Sequence, residues 1–496
     1  MKLSIIGPAY QDKISNINNQ RCVNMYPSAS GPNGRGEEVK ADTSAALVPT
    51  AGLSLLTTLT GLEVRSLAAI GSYVYAVVDS TVYKLTINNV TEQVDTSTVL
   101  GTMSSSTGAV KVASNPTQIV WVDGSATGYI YTPGSGVFAT INSLDADFPG
   151  ASNVAFLDSY FVISEPDTGK IYTSAGNNGA SWDPADVATA ESGTDNIVSL
   201  AVSKGELWVL GEKTTEIWYD AGNPSGLPLS PRTGLELQIG CGAANSVVQL
   251  DDLIIWLDNR GYIVQSNVSP FVRNNNSGYD IKIVSTEALS ADILSYSTRS
   301  DAIAFAYNDR GHLMYQISFP TARKTWVYDY ILKVWHERTW YNEVEDREEH
   351  HLVQYYTQYE NLHLGAGIRN GKIYLMKPDV YTDNGVAIRR RRITSPLYDP
   401  NQSSVLSVDS VTVKVASPKI AQSLEPQIML RYSTDGGHTW SNEMMRSIGK
   451  VGEYSKRITW NRLGTGIEWV FEFVITDAFS FSILDAFLQT EAAEEH

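Results

Sequence analysis

The chain has 496 residues, 43% of them hydrophobic, which is enough for several buried cores and implies two or more domains. Only 18% are charged, while Gly (38), Tyr (26) and Trp (11) are plentiful among dense Thr, Ser and Val, the mixture of a mainly β protein. The formal net charge of −17 argues against a tight grip on nucleic acid, because phosphate neutralisation needs a basic face.

The opening "MKLSIIGPAYQDK" has no apolar run of signal-peptide length, and no stretch approaches the roughly 20 apolar residues of a membrane span. A soluble protein made in a cytoplasm is expected. Residues 1–45 read as an N-terminal arm, irregular over Lys13–Glu38, where Pro27, Pro32 and the Gly-rich "GPNGRGEE" would carry it across the surface.

Residues 46–383 contain an internal repeat. "VRSLAAIGSYVYAVVDSTVYKL" (Val64–Leu85) is an apolar strand, a Gly-Ser turn, an alternating strand and a third strand. The order returns at Val110–Gly134, Asn153–Ala175, Asn196–Gly222 and Asn245–Ser266, and more loosely at Ala302–Pro320 and Glu360–Pro378. A return every 40 to 50 residues or so is the spacing of four-stranded β-propeller blades, each burying its faces only against its neighbours. Six blades are favoured, with Glu360–Pro378 closing the ring against "AALVPTAGLSLLTTL" near the N-terminus; a seventh blade is the alternative. Helical periodicity is confined to Asp186–Glu191 and the last dozen residues.

Beyond Asp383 the strands lengthen and alternate between Pro/Gly turns. Residues 384–490 therefore read as a separate C-terminal β-sandwich, followed by a tail at 491–496. The fold class is all-β, a propeller and then a sandwich. Inside the sandwich, "STDGGHTWS" fits S-x-D-x-G-x-T-W, the Asp-box hairpin known from sialidase propellers. Ser433, Asp435, Gly437, Thr439 and Trp440 form its framework. Asp435 is suited to accept backbone N–H groups across the turn, Gly436 and Gly437 to supply positive φ, and Trp440 to lie back as a plug. That is a structural hairpin and needs no substrate. "AGNNGASW" (Ala175–Trp182) is a degenerate copy with Asn177 at the Asp position.

Catalytic, cofactor-binding and metal-binding residues are all expected to be absent. A sialidase needs several boxes, an arginine cluster and a Tyr–Glu pair, and no matched set of blade-top arginines stands out. Cys22 and Cys241 lie far apart without metal-ligand spacing. "EVEDREEHH" (Glu343–His351) reads as a solvated acidic loop and "GCGAAN" (Gly240–Asn245) as a turn between blades. No Walker A, HExxH, CxxC or GxSxG pattern occurs. The single concentrated positive run is Arg389, Arg390, Arg391 and Arg392. It is either a strand with two arginines on each face, partly paired with carboxylates, or a docking edge for an acidic neighbour subunit or DNA.

The run from Leu430 to Asp477, with "NQRCVNMYP" (Asn19–Pro27), "TAGLSLLTTL" and "WVYDYILKVWHERTW" (Trp326–Trp340), resembles the packaged DNA stabilisation, or tail hub/nozzle, proteins of short-tailed (podovirus-type) phages. The resemblance implies a non-enzymatic virion protein of the viral tail, built in the bacterial host cytoplasm and without cofactors. It further implies a homohexamer ring below the portal and adaptor ring, bearing or abutting a distal plug, needle or fibre. DNA would pass through the channel without tight binding, to be retained and then delivered at ejection. A carbohydrate-binding or glycosidase-like tail propeller is the alternative.

Overall fold

Alternating apolar residues cut by Gly, Asp and Lys-Gly turns dictate short antiparallel strands, and a computed structural model gives their arrangement. It describes residues 1–11, 19–30, 44–190, 195–268, 279–367, 369–398, 405–419, 425–450, 453 and 455–492. Turn chemistry fixes the hairpins. In "SKGE" Lys204 and Gly205 have φ of 54° and 74°, and in "DRGH" Arg310 and Gly311 have φ of 52° and 87°. Two successive left-handed residues match the twist of the strands they join.

Six successive four-stranded meanders span Val64–Thr102, Lys111–Thr140, Asn153–Thr189, Ile197–Leu237, Val248–Ile283 and Ile303–Glu337. A seventh comprises Val353–Tyr359, Leu362–Gly367 and Lys372–Lys377, and is completed by Gly52–Thr58 from the N-terminal side. The first strands of the seven units neighbour one another in a closed cycle. The expected pairing of Glu360–Pro378 with "GLSLLTT" is present, running from Lys372↔Thr58 to Lys377↔Gly52. It closes a seventh unit rather than the sixth, because Val353–Tyr359, whose sequence lacks the repeat's pattern, adds an inner strand.

The first 45 residues depart from the expected surface arm wherever they are described. Asn19–Val23 pairs in parallel with the last strand of the sixth unit (Val23↔Glu337) and antiparallel with Arg390–Ile393. The result is one ten-stranded sheet running from the sixth blade into the sandwich through Val470–Ile475, Gln427–Ser433 and Met444–Ser447. Met25–Ser30 and Ser44–Pro49 form a hairpin in the facing sheet beside Ser480–Ala492, Leu406–Lys419 and Ser455–Gly466, and Lys2–Leu3 pairs with the Ser480–Ala492 strand. Apolar residues of these strands (Cys22, Val23, Met25) are fully buried, which is why the segment does not lie on the surface. The "GPNGRGEE" stretch lies outside the described residues.

One core joins the parts. Leu3, Ile5 and Met25 pack in the same cluster as Tyr315 and Trp335 of the sixth blade and Val411, Trp460 and Phe473 of the sandwich. The two expected helices are strand instead: Asp186–Thr189 ends the Asn178–Thr189 strand, and Asp485–Ala492 ends Ser480–Ala492. Glu191 and residues 493–496 lie outside the described residues. Helix appears at Ile141–Leu144 and at Glu287–Ser295, where the Thr286 hydroxyl accepts from Leu289 N at 3.2 Å as an N-cap.

Candidate functional site

Five neighbouring strands at the propeller–sandwich junction each contribute a charged residue, three arginines (Arg21, Arg391, Arg431) set against two carboxylates (Glu337, Glu472). Glu337 of the sixth blade accepts two bonds from the Arg21 guanidinium, at 2.8 and 2.5 Å. Arg391 is ion-paired with Glu472 at 3.0 Å and lies 3.5 Å from Glu348. Arg431 donates to the other Glu472 oxygen at 2.6 Å. Glu337 and Glu472 are each only 2% exposed at the side chain, so these are enclosed pairs rather than surface ones. The Arg21 guanidinium holds the Glu337 carboxyl below the usual carboxylate range despite burial. The lone carboxylate inside the apolar run "VFEFVI" was the available sequence signal, since a buried charge demands a partner.

The four-arginine run sits in the middle of this sheet. Arg390 and Arg392 are fully buried on one face. Arg392 donates to Ile5 O (2.6 Å), Pro8 O (2.9 Å), Arg21 O (3.3 Å) and Gln20 Oε1 (2.7 Å), holding the N-terminal segment. Arg390 donates to the carbonyls of Tyr381, Ile388 and Asp477. Burial pushes both guanidinium pKa values down. A subunit contact through Arg390 and Arg392 is therefore ruled out, because both side chains are fully buried within the chain. Arg391 is largely enclosed by its carboxylates. Arg389, half-buried, is the member of the run whose side chain has neither a hydrogen bond nor an ion pair among the described residues.

The expected solvated loop at Glu343–His351 is corrected too. Thr339–Asn342 and Arg347–His350 pair as a hairpin, and His351 is fully buried. Nearby, His336 is buried with neither ring nitrogen bonded among the described residues. Burial, with the Arg338 and His312 charges, lowers its pKa to about 3. Burial raises the Asp383 carboxyl to about 6. Between pH 6.5 and 3 the unfolded chain takes up a proton that folded His336 refuses, so stability falls as pH falls. Asp383 acts oppositely, adding stability as pH drops through 6. Going from pH 7 to 5, His336 removes about 2 kcal/mol and Asp383 returns about 1 kcal/mol. We expect His336→Leu to flatten the acid side of a melting-temperature profile; an unchanged profile would refute this account.

The Asp-box residues lie together in one loop. Asp435 Oδ1 accepts from Ser433 Oγ at 2.6 Å and Thr439 N at 2.8 Å, and Oδ2 accepts from Thr439 Oγ1 at 2.6 Å. Gly436 and Gly437 have φ of 73° and 99°. Trp440 Nε1 donates to Gly437 O at 3.1 Å, and its ring lies 5.4 Å from the Arg431 guanidinium, so the plug also packs on the junction ladder. Hydrogen bonds from Ser433 and Thr439 push the Asp435 pKa well down. In the degenerate copy Trp182 Nε1 donates to Gly179 O at 2.9 Å, while Asp145 of another segment accepts from Trp182 N at 2.7 Å. Asp435→Ala should therefore accelerate amide exchange at Thr439 while leaving the propeller's exchange unchanged, as read by hydrogen–deuterium exchange.

The middle of the ring is narrow. Lys111, on the inner strand of the second unit, donates to Ala244 O ahead of the fifth at 3.1 Å, and Ser199 Oγ reaches the same carbonyl at 3.2 Å. Burial pushes the Lys111 ammonium down to about 8. A side chain that crosses from the second unit to the approach of the fifth leaves no room for a duplex.

Two clefts open between blades. About 1000 Å³ separates the outer strands of the third and fourth units, beside Tyr172, Trp218 and Arg232. About 440 Å³ lies between the sixth and seventh, walled by the Thr339–His350 hairpin. Among the described residues no group of three or more His, Cys, Asp or Glu could hold a metal ion. Cys22 and Cys241 are free and buried, and burial raises both thiols to about 11. No helix of the described residues is long and apolar enough to cross a membrane.

Comparison with known proteins follows the same division of the chain. The crystal structure of the computationally designed Ika8 protein aligns at 12% identity, 72% of this chain and 100% of that one, with a TM-score of 0.38. The WD40 β-propeller domain of Doa1 aligns at 12% identity, 66% of this chain and 97% of that one, with a TM-score of 0.40. No curated protein matches the sequence. The family model described as bacteriophage P22 Gp10, beta-propeller, matches residues 15–381, and that described as bacteriophage P22 Gp10, beta-sandwich, matches residues 390–491. With both models matched in order over most of its length, the chain belongs to the bacteriophage P22 Gp10 family, the structural stabilisation proteins of short phage tails.

Proposed function

We propose that the chain is the subunit of a hub or nozzle ring, six copies extending the DNA channel below the portal and its adaptor. The ring would help retain the packaged genome and deliver it at ejection, with a plug, needle or fibre at its distal end. The supporting observation is the shared Asn19–Val23 strand, which joins propeller and sandwich through one ten-stranded sheet. A wall element must resist bending, and hydrogen bonding across the domain boundary with a common core supplies that stiffness.

Two further features agree with the reading. Lys111 crosses the propeller's own centre, so DNA would pass between copies and not through a propeller. A net charge of −17 weakens adhesion of a moving phosphate backbone. Ring closure needs a head-to-tail contact between two different faces of the subunit. Native mass measurement of the purified protein, with and without an adaptor ring, tests the proposal. A hexamer of the 54.3 kDa chain, free or captured only on the adaptor, is the expected result. A persistent monomer that ignores the adaptor would overturn it.

A further inference from the structure

The cleft between the sixth and seventh units differs in chemistry from the rest of this acidic protein. Arg323, Arg347 and Arg369 line it against two carboxylates, Glu345 and Glu349. Arg347 is occupied, donating to Glu349 at 2.6 Å and pairing with Glu345. Arg323 lies 3.6 Å from Glu349, leaving most of its donors unused. Arg369 has no hydrogen bond or ion pair among the described residues. Behind them the indole N–H of Trp340 and Nδ1 of His350 are buried without partners among the described residues. The unused capacity is thus almost wholly that of donors, with a positive balance, inside a chain whose net charge is −17.

A set of idle N–H donors around a cavity of about 440 Å³ calls for an acceptor-rich anion larger than a single inorganic ion. The rim says what carries it. Val344, at the tip of the hairpin that walls the cleft, is 94% exposed, an apolar side chain beside an arginine-lined cavity. A polypeptide can present a carboxylate and an apolar side chain together, and covering Val344 would remove its surface from water.

We infer that this cleft is a docking site for an acidic peptide segment of another virion protein, with a side-chain carboxylate held by Arg369 and Arg323. Assigning the segment to a virion protein rests on the proposed tail role; the carboxylate site itself does not. Specificity follows from geometry: a planar guanidinium takes a carboxylate through two parallel bonds, which a glutamine side chain cannot reproduce.

Calorimetric titration of the full chain with a short acetylated, amidated oligoglutamate tests the inference, with an oligoglutamine peptide and glucuronate as the other probes. The expected result is saturable oligoglutamate binding that weakens with salt, no binding of oligoglutamine, and a loss of roughly tenfold or more in Arg369→Gln. Arg369 is exposed and unpaired, so the variant should keep the wild-type circular dichroism and melting temperature. Glucuronate binding tighter than oligoglutamate would make the cleft a glycan site and overturn the inference, as would no binding of either at millimolar concentration. An unaltered affinity in Arg369→Gln would also overturn it. Failure of adaptor capture alongside intact oligoglutamate binding would instead count against the proposed ring and leave the cleft standing.

Discussion

Glu472→Ala is expected to lower the unfolding free energy by about 4 kcal/mol, the largest effect of any single side chain at the junction. Its two oxygens are divided between Arg391 and Arg431, and the side chain is 2% exposed. Removal strands the Arg391 guanidinium, itself only 14% exposed, with Glu348 at 3.5 Å as its remaining carboxylate. The loss comes from uncompensated buried charge rather than from the net worth of the pairs. Replacing Arg391, Arg431 and Glu472 together by apolar residues of similar volume should therefore recover much of it. Denaturant unfolding of the single and triple variants checks both halves. A single-variant loss under about 1 kcal/mol would mean that water reaches the cluster and screens it.

Gly52→Ala is expected to open the propeller at its seam, at a cost of about 3 kcal/mol. A methyl group there would stand 2.5 Å from Val380 O and 2.6 Å from Thr382 O, both backbone atoms that no side-chain rotation can clear. Gly52 N also donates to Val380 O at 3.0 Å, so moving the strand away breaks its own anchor. The affected pairing, Gly52–Thr58 with Lys372–Lys377, joins the two ends of the repeat region, where contact carries the highest ordering cost in the ring. Amide exchange should accelerate in those two strands before it does in the first six units. Uniform exchange across all seven would contradict a seam.

How much of this was legible beforehand depended on how far apart the interacting residues lie. The repeat of strand, turn and strand could be read because each blade is made of sequence neighbours, and turns such as Lys204-Gly205 declare their backbone angles by residue type. The Asp-box was legible for the same reason, since its donors and acceptors lie within a span of eight residues from Ser433 to Trp440. The helix at Glu287–Ser295 was not, because its buried apolar residues, Ala288, Leu289 and Ile293, are too few to stand out as a stripe.

The sequence by itself determined the all-β class, the propeller repeat, the sandwich that follows and the family, all of which rest on local strand and turn patterns. Only the tertiary structure decided that the first strands belong to the two sheets of the sandwich, that the seventh unit is closed by Gly52–Thr58, and that Arg390 and Arg392 point inward. Alternation along "RRRR" places two arginines on each side of a strand, but which side becomes interior depends on the segment laid against it. Here those partners, Ile5, Pro8, Gln20 and Arg21, come from the opposite end of the chain. Strand pairing is specified by backbone groups that every residue carries alike, so a distant partner leaves little mark on either sequence until the core selects it.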